Sequence, residues 1–202
     1  MIFVTSDLHF NHKNVCKYNN RPYDNVEEMN ENIIDNWNKQ VNPQDTIYVL
    51  GDFCFSNNFD DILKRLKGEV ILIHGNHDNR KLKNSTYAHA YYINYSFKHQ
   101  GYAFFLSHYA HRVWCKSHYG SINLFGHSHG NLQTYNLSFD CGIDTNPNYM
   151  LYSLDEDIIP WVQSRTQEMK ENGRIIERDD KIFYQQDDVE YFKRKYEEKN
   201  ND

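Results

Sequence analysis

Five short apolar runs in this chain each end in residues that can hold a cation. They are Asp7 and His9 in "IFVTSDLH", Asp52 in "VLGD", Asn76, His77 and Asp78 in "IHGNHD", His108 in "LSHY", and His127 and His129 in "LFGHSHG". Carboxylate oxygen, amide oxygen and imidazole nitrogen together suit Mn²⁺, Fe or Zn²⁺ better than an all-oxygen Ca²⁺ cage. No cysteine falls in these clusters, so a thiolate zinc finger is not expected. Histidine is abundant, 11 in 202 residues, which points the same way. Taken singly, each fragment fits a polar turn: Asp7 a cap after a strand, Asp52 a turn residue, His127 and His129 rim histidines. The metal reading rests on their recurrence.

The elements that must position these groups can be read from periodicity. "IFVTSD", "TIYVLGD" and "EVILIHGNHD" read as buried strands running into turns. Between the first two, "DNVEEMNENIIDNWNKQV" carries Val26, Met29, Ile33 and Trp37 at helical spacing, and Asp24 with Glu27 matches a capping box. "FDDILKRLKG" predicts a second amphipathic helix closed by Gly68. Strand alternating with helix predicts an α/β sheet. After Tyr91 the pattern becomes successive strands, "YYINYSFKH", "YAFFLSHY", "SINLFGHSHG" and "LSFDCGID", broken by a "HRVWCKSHYG" loop. Two packed sheets, or one mixed sheet, fit this better than a fully parallel sheet. Residues 160–202 are strongly charged, with helical stretches in "PWVQSRTQEMKENG" and "DDVEYFKRKYEEKN". They are expected to form a helical extension packed on the domain of residues 1–159.

The ordered series Asp7-x-His9, Gly51-Asp52, Gly75-Asn76-His77-Asp78, His108 and Gly126-His127-Ser128-His129 resembles the motif set of the calcineurin-like metallophosphoesterase superfamily. The segments "FNHKNVCKYNNRPYDNVEEMNE" and "HYAHRVW" resemble a small bacterial and phage branch of it. The resemblance implies a sandwich of mixed β-sheets flanked by α-helices, and two divalent cations: Mn²⁺ first, with Fe²⁺, Zn²⁺ or Ni²⁺ as alternatives. It implies that Asp7, His9 and His129 hold one ion, that Asn76, His108 and His127 hold the other, and that Asp52 bridges. Two such ions lower the pKa of a shared water and neutralise phosphoryl oxygens during in-line attack. The resemblance gives His77 the role of general acid, with Asp78 orienting its ring. His12 and Asn14 lie close enough in sequence to touch substrate. Arg21 and Arg112 are candidate phosphate clamps, because a guanidinium fork matches phosphate oxygens, although structural salt bridges use arginine as readily.

A net charge of −6 argues against a protein that grips long nucleic acid through bulk electrostatics. No apolar run is long enough to span a bilayer, and no secretory signal pattern opens the chain, so no membrane partner and a cytoplasmic location are expected. Four dispersed cysteines fit reduced thiols. The expected function is hydrolysis of a small phosphoester, a diester such as a nucleotide or cyclic nucleotide before a monoester. A nuclease would need a basic groove. A non-catalytic scaffold would be expected to have lost ligands, and here none of the series is missing.

Overall fold

Runs dense in β-branched and aromatic residues build two sheets that face one another. The computed structural model describes residues 1–178 and 181–184. In the first sheet β1 (Ile2–Thr5), β2 (Thr46–Val49), β3 (Glu69–Ile73) and β4 (Ala90–Tyr92) run parallel, and β9 (Tyr152–Ser153) pairs antiparallel with β1. The order is β4-β3-β2-β1-β9. β1, β2 and β3 are buried on both faces, hence their continuous apolar runs. Side chains alternate between two cores. Phe3, Ile47, Val49, Val70 and Leu72 pack with the helices. Val4, Tyr48, Leu50, Ile71 and Ile73 pack with Phe104, Leu106, Ile122 and Leu124 of the second sheet.

That second sheet joins β5 (Tyr95–His99) antiparallel to β6 (Tyr102–Leu106), and β7 (Ile122–Phe125) and β8 (Ser138–Asp140) extend it in parallel. The run "YYINYSFKH", read from sequence as one strand, is two. The chain bends at Ile93 and Asn94, leaving β4 in the first sheet and β5 in the second. Both halves have β-forming composition, and the sequence carries no strong breaker to mark the crossing.

On the outer face of the first sheet lie α1 (Val15–Tyr18), α2 (Val26–Gln40) and α3 (Phe59–Leu63). The stripe Val26, Met29, Ile33 and Trp37 is buried. The capping box sits one residue later than the sequence pattern suggests. Asn25 caps the helix by accepting from Glu28 N–H at 2.8 Å, and the Glu28 carboxylate accepts from Asp24 N–H at 2.9 Å. Starting the helix at Val26 is what turns that residue inward.

A π-helical turn (Leu154–Ile158) leads into α4 (Ile159–Glu171), which buries Ile159, Val162 and Met169 against the inter-sheet core. This is the first of the two expected C-terminal helices. The segment after it is not helical: β10 (Ile175–Arg178) and β11 (Lys181–Tyr184) pair antiparallel. Ile175, Ile176, Ile182, Phe183 and Tyr184 favour strands, and that local preference competes with the helical reading of a charged segment. The stretch "DDVEYFKRKYEEKN" lies outside the described residues. Among the described residues no helix is long and apolar enough to cross a membrane.

Candidate metal centre

Every residue of the five motifs lies beyond the carboxyl end of a parallel strand: β1, β2 and β3 in one sheet, β6 and β7 in the other. Open α/β sheets collect their ligands at such ends. Main-chain hydrogen bonds tie the loops together there. Asp7 N–H donates to Gly51 O (3.1 Å), His9 N–H to Asp52 O (2.9 Å), and Gly126 N–H to His108 O (3.0 Å). The glycines before Asn76 and His127 are required by space. A Cβ on Gly75 would run into the main chain and carboxylate of Asp52, and one on Gly126 would run into the side chains of Ser6 and Asp7.

Two triads result. Ligand atoms of Asp7, His9 and His129 lie within 4.8 Å of one another, as do those of Asp52, His108 and His127. Asp52 stands between them: its Oδ2 is 3.6 Å from His9 Nε2 and 3.6 Å from His108 Nε2. Its other oxygen, Oδ1, accepts from His77 N–H at 2.9 Å. Asp7 is arranged the same way. Oδ2 accepts from His127 N–H at 2.8 Å, while Oδ1 is buried with no partner. His9 Nδ1 is likewise buried and unpartnered. Orphaned buried atoms of this kind are costly unless a ligand satisfies them.

Two of the imidazoles, His108 and His129, are oriented from behind, as ligand histidines are. His108 Nδ1 lies 2.8 Å from Leu50 O, to which it can donate, and burial depresses its pKa. Its Nε2 lies 2.8 Å from Asn76 Oδ1. His129 Nδ1 lies 2.6 Å from Asp144 Oδ2, with Asn19 Nδ2 at 2.8 Å. Burial lowers the pKa of His129, but the Asp144 hydrogen bond and the Asp7 charge outweigh it and the net shift is upward.

Without a cation the inner triad is electrostatically frustrated. Burial raises Asp7 to about 7, partly offset by His129. Burial, then Arg21, lowers His9 to about 2. A divalent ion relieves both, since it favours the carboxylate and the neutral imidazole. Backbone strain marks the same residues: Asp7, His9, Asp52, His127 and His129 all adopt left-handed φ, between 48° and 69°. Each costs an L-residue about 1–2 kcal/mol, and such strain collects at functional sites.

The other candidates divide. His77 is exposed at the rim, its ring centroid 5.8 Å from that of His9. Asp78 does not orient that ring. Its carboxylate is buried and accepts from the N–H groups of Asp52 (3.1 Å), Phe53 (2.8 Å) and Gly75 (2.8 Å), which locks two loops together. Successive residues in so tight a turn point apart, and adjacency in sequence conceals this. His12 stands beside the site, 5.3 Å from His9 between ring centroids. Asn14 is exposed on the preceding turn and forms no side-chain cap.

Arg21 is buried behind the metal ligands and is no phosphate clamp in this geometry. Its guanidinium forks onto Asp144 (2.7 and 2.7 Å) and donates to the carbonyls of Asp7 (2.6 Å) and Leu8 (2.9 Å). Arg112 is exposed, with its guanidinium 4.5 Å from the centroid of the Tyr135 ring. Asp144 escapes the sequence-based reading, although "FDCGID" repeats the pattern of an acid just after an apolar strand.

Comparison with known proteins places this arrangement. The profile of the calcineurin-like phosphoesterase superfamily domain matches residues 1–137, a span holding all seven candidate ligands. An uncharacterized protein of Methanocaldococcus jannaschii is 40% identical over 134 residues, 64% of this chain and 70% of its own length. The gene 66 protein of Mycobacterium phage L5 is 33% identical over 81 residues; the match spans 38% of this chain and only 39% of the phage protein. Among solved structures, a protein of unknown function from Aquifex aeolicus superposes with a TM-score of 0.64 at 27% identity, covering 77% of this chain and 96% of that one.

Proposed function

This chain belongs to the calcineurin-like phosphoesterase superfamily, and on that premise we propose that it is a two-metal phosphoric ester hydrolase acting on a small phosphodiester, a nucleotide or cyclic nucleotide. The observation that carries the reading is the placement of Asp52, with one oxygen anchored by His77 N–H and the other equidistant, at 3.6 Å, from a histidine of each triad. A structural carboxylate would have both oxygens satisfied, as Asp78 has.

Asp7, His9 and His129 would hold one ion, Asn76, His108 and His127 the other, and Asp52 both. When bound, a pair of Mn²⁺ ions supplies Lewis acidity that brings a water's pKa toward neutrality and offsets charge on the phosphoryl oxygens. The donor set also accepts Fe²⁺, Zn²⁺ or Ni²⁺. The chain's own residues do the rest. Left-handed ligand loops and hydrogen-bonded imidazoles hold the donors in place before any ion arrives, so little reorganisation is left for the reaction. His77, on the solvent side of the His9 ring, is positioned to give a proton to the departing oxygen. Exposure of Asn76, His77 and His127 supports an unroofed site that admits an ester substituted on both sides.

The test is metal analysis of the purified protein, followed by hydrolysis of bis-p-nitrophenyl phosphate and p-nitrophenyl phosphate with Mn²⁺ added. Two ions per chain and preference for the diester are expected; Asp52→Asn should abolish turnover and lose at least one ion. Preference for the monoester would correct the substrate class. A loaded protein that turns over neither ester would favour a binding scaffold.

A further inference from the structure

One exposed aromatic ring borders the centre. Phe55 is 48% exposed, and a lone exposed apolar side chain would be unremarkable. This one is held in place. Its main-chain N–H donates to Phe10 O at 2.8 Å, and its ring lies face to face on His12, with centroids 4.1 Å apart and planes within 8°. Tyr18 meets His12 edge-on at 6.1 Å, extending the wall. The wall borders the reacting centre: the centroids of His12 and His9 are 5.3 Å apart, and those of Phe55 and His77 are 5.5 Å apart. Asn57 and Asn79, bonded through their amides at 2.5 Å, tie the Phe55 loop to the His77 loop. His12 Nδ1 is buried without a partner.

A flat ring with its main chain fixed, already stacked on one neighbour and next to the proton donor, presents a pre-ordered π surface to whatever the scissile oxygen carries. We propose that Phe55 and His12 form a stacking subsite for a nucleobase carried by the ester group on the His77 side. An aliphatic ester group would gain only contact area from this wall. A planar heteroaromatic base gains stacking as well, at little entropic cost because the platform is already ordered. The proposal deepens the phosphodiesterase reading and rests on it.

The experiment compares adenosine 5′-monophosphate with ribose 5-phosphate, which lacks only the base. Each is titrated calorimetrically into Mn²⁺-loaded protein. Wild type is expected to bind the nucleotide about tenfold more tightly, the range of one stacked base. Phe55→Ala should bring that ratio close to one, while Phe55→Trp should keep it. Tyr109, 49% exposed on the opposite bank with its ring centroid 4.6 Å from that of His127, is the comparison. Equal affinities in wild type, a ratio that survives Phe55→Ala, or a ratio lost in Tyr109→Ala instead would each overturn the subsite. Bis-p-nitrophenyl phosphate separates this failure from the larger one: turnover without base preference sinks only the subsite, and no turnover with both phosphates unbound sinks the hydrolase reading too.

Discussion

A carboxylate has two oxygens, and in Asp7 and Asp52 one is held by a main-chain N–H; the other is buried without a partner in Asp7 and lies 3.6 Å from two imidazoles in Asp52. This division of labour is invisible in sequence, where "SDLH" and "GDF" show only that an acid follows a strand. Residue types and order are enough to single out candidates, and six of them fall into two groups that could hold a metal ion. Type and order are not enough to say which lone pair is already used, so Asp78 reads as a partner of His77 when it is a clamp on three main-chain N–H groups. The same detail makes a test of His77 clean. Its contribution to the metal site is its main-chain N–H to Asp52, which alanine retains. His77→Ala should therefore keep two ions per chain while losing about 10²–10⁴ in rate on esters with alkoxide leaving groups, and far less on p-nitrophenyl esters, which depart without a proton. Metal content measured beside a leaving-group series checks this; a variant that sheds its ions would assign the ring to coordination instead.

Between residues and the whole lie ties such as the Arg21–Asp144–His129 chain, which binds the α1–α2 connection to the loops after β7 and β8. The pair is buried, and Asp144 is held below its ordinary pKa: burial pushes it up, but hydrogen bonds from His129 and Arg21 prevail. Removing one partner strands the other charge, so Asp144→Ala should cost about 3–5 kcal/mol in chemical denaturation at neutral pH. A folded pKa below the unfolded one means this stability is present above about pH 4 and disappears as pH falls through the lower folded value. The gap between wild type and variant should therefore close in acid. Tyr48 gives the opposite limb. Burial between the sheets, with Tyr95 beside it, raises it to about 12. Its contribution is present below pH 10 and lost as pH rises toward 12, and Tyr48→Phe should flatten that alkaline loss by on the order of 1–2 kcal/mol. At this scale the sequence is legible wherever periodicity is long, as in α2 and β1 to β3. It is not legible where two elements of like composition abut, as in β4 and β5, or where short β-forming runs are set among charges, as in β10 and β11.

For the molecule as a whole, the consequence of this layout is that the metal centre spans the sandwich. Asp7, His9, Asp52 and Asn76 come from the first sheet, and His108, His127 and His129 from the second. The two sheets meet in their interior through an apolar core, whose packing is non-directional and tolerates small shifts. At the strand-end edge that packing gives way to strained loops and buried acids and imidazoles, which oppose one another until a cation is present. Binding free energy is therefore folding free energy here. Each site loaded at a hundred times its Kd should add about 2.7 kcal/mol to stability. Stripping the protein with a chelator should lower Tm, and Mn²⁺ should restore it in a concentration-dependent way, with part of the gain lost in Asp52→Asn because the shared carboxylate is gone. Thermal melts across a Mn²⁺ titration would read this without any substrate. A Tm indifferent to both chelator and Mn²⁺ would mean that the two sheets hold this edge together unaided, and the orphaned oxygens and imidazoles would then have to be satisfied by something other than metal.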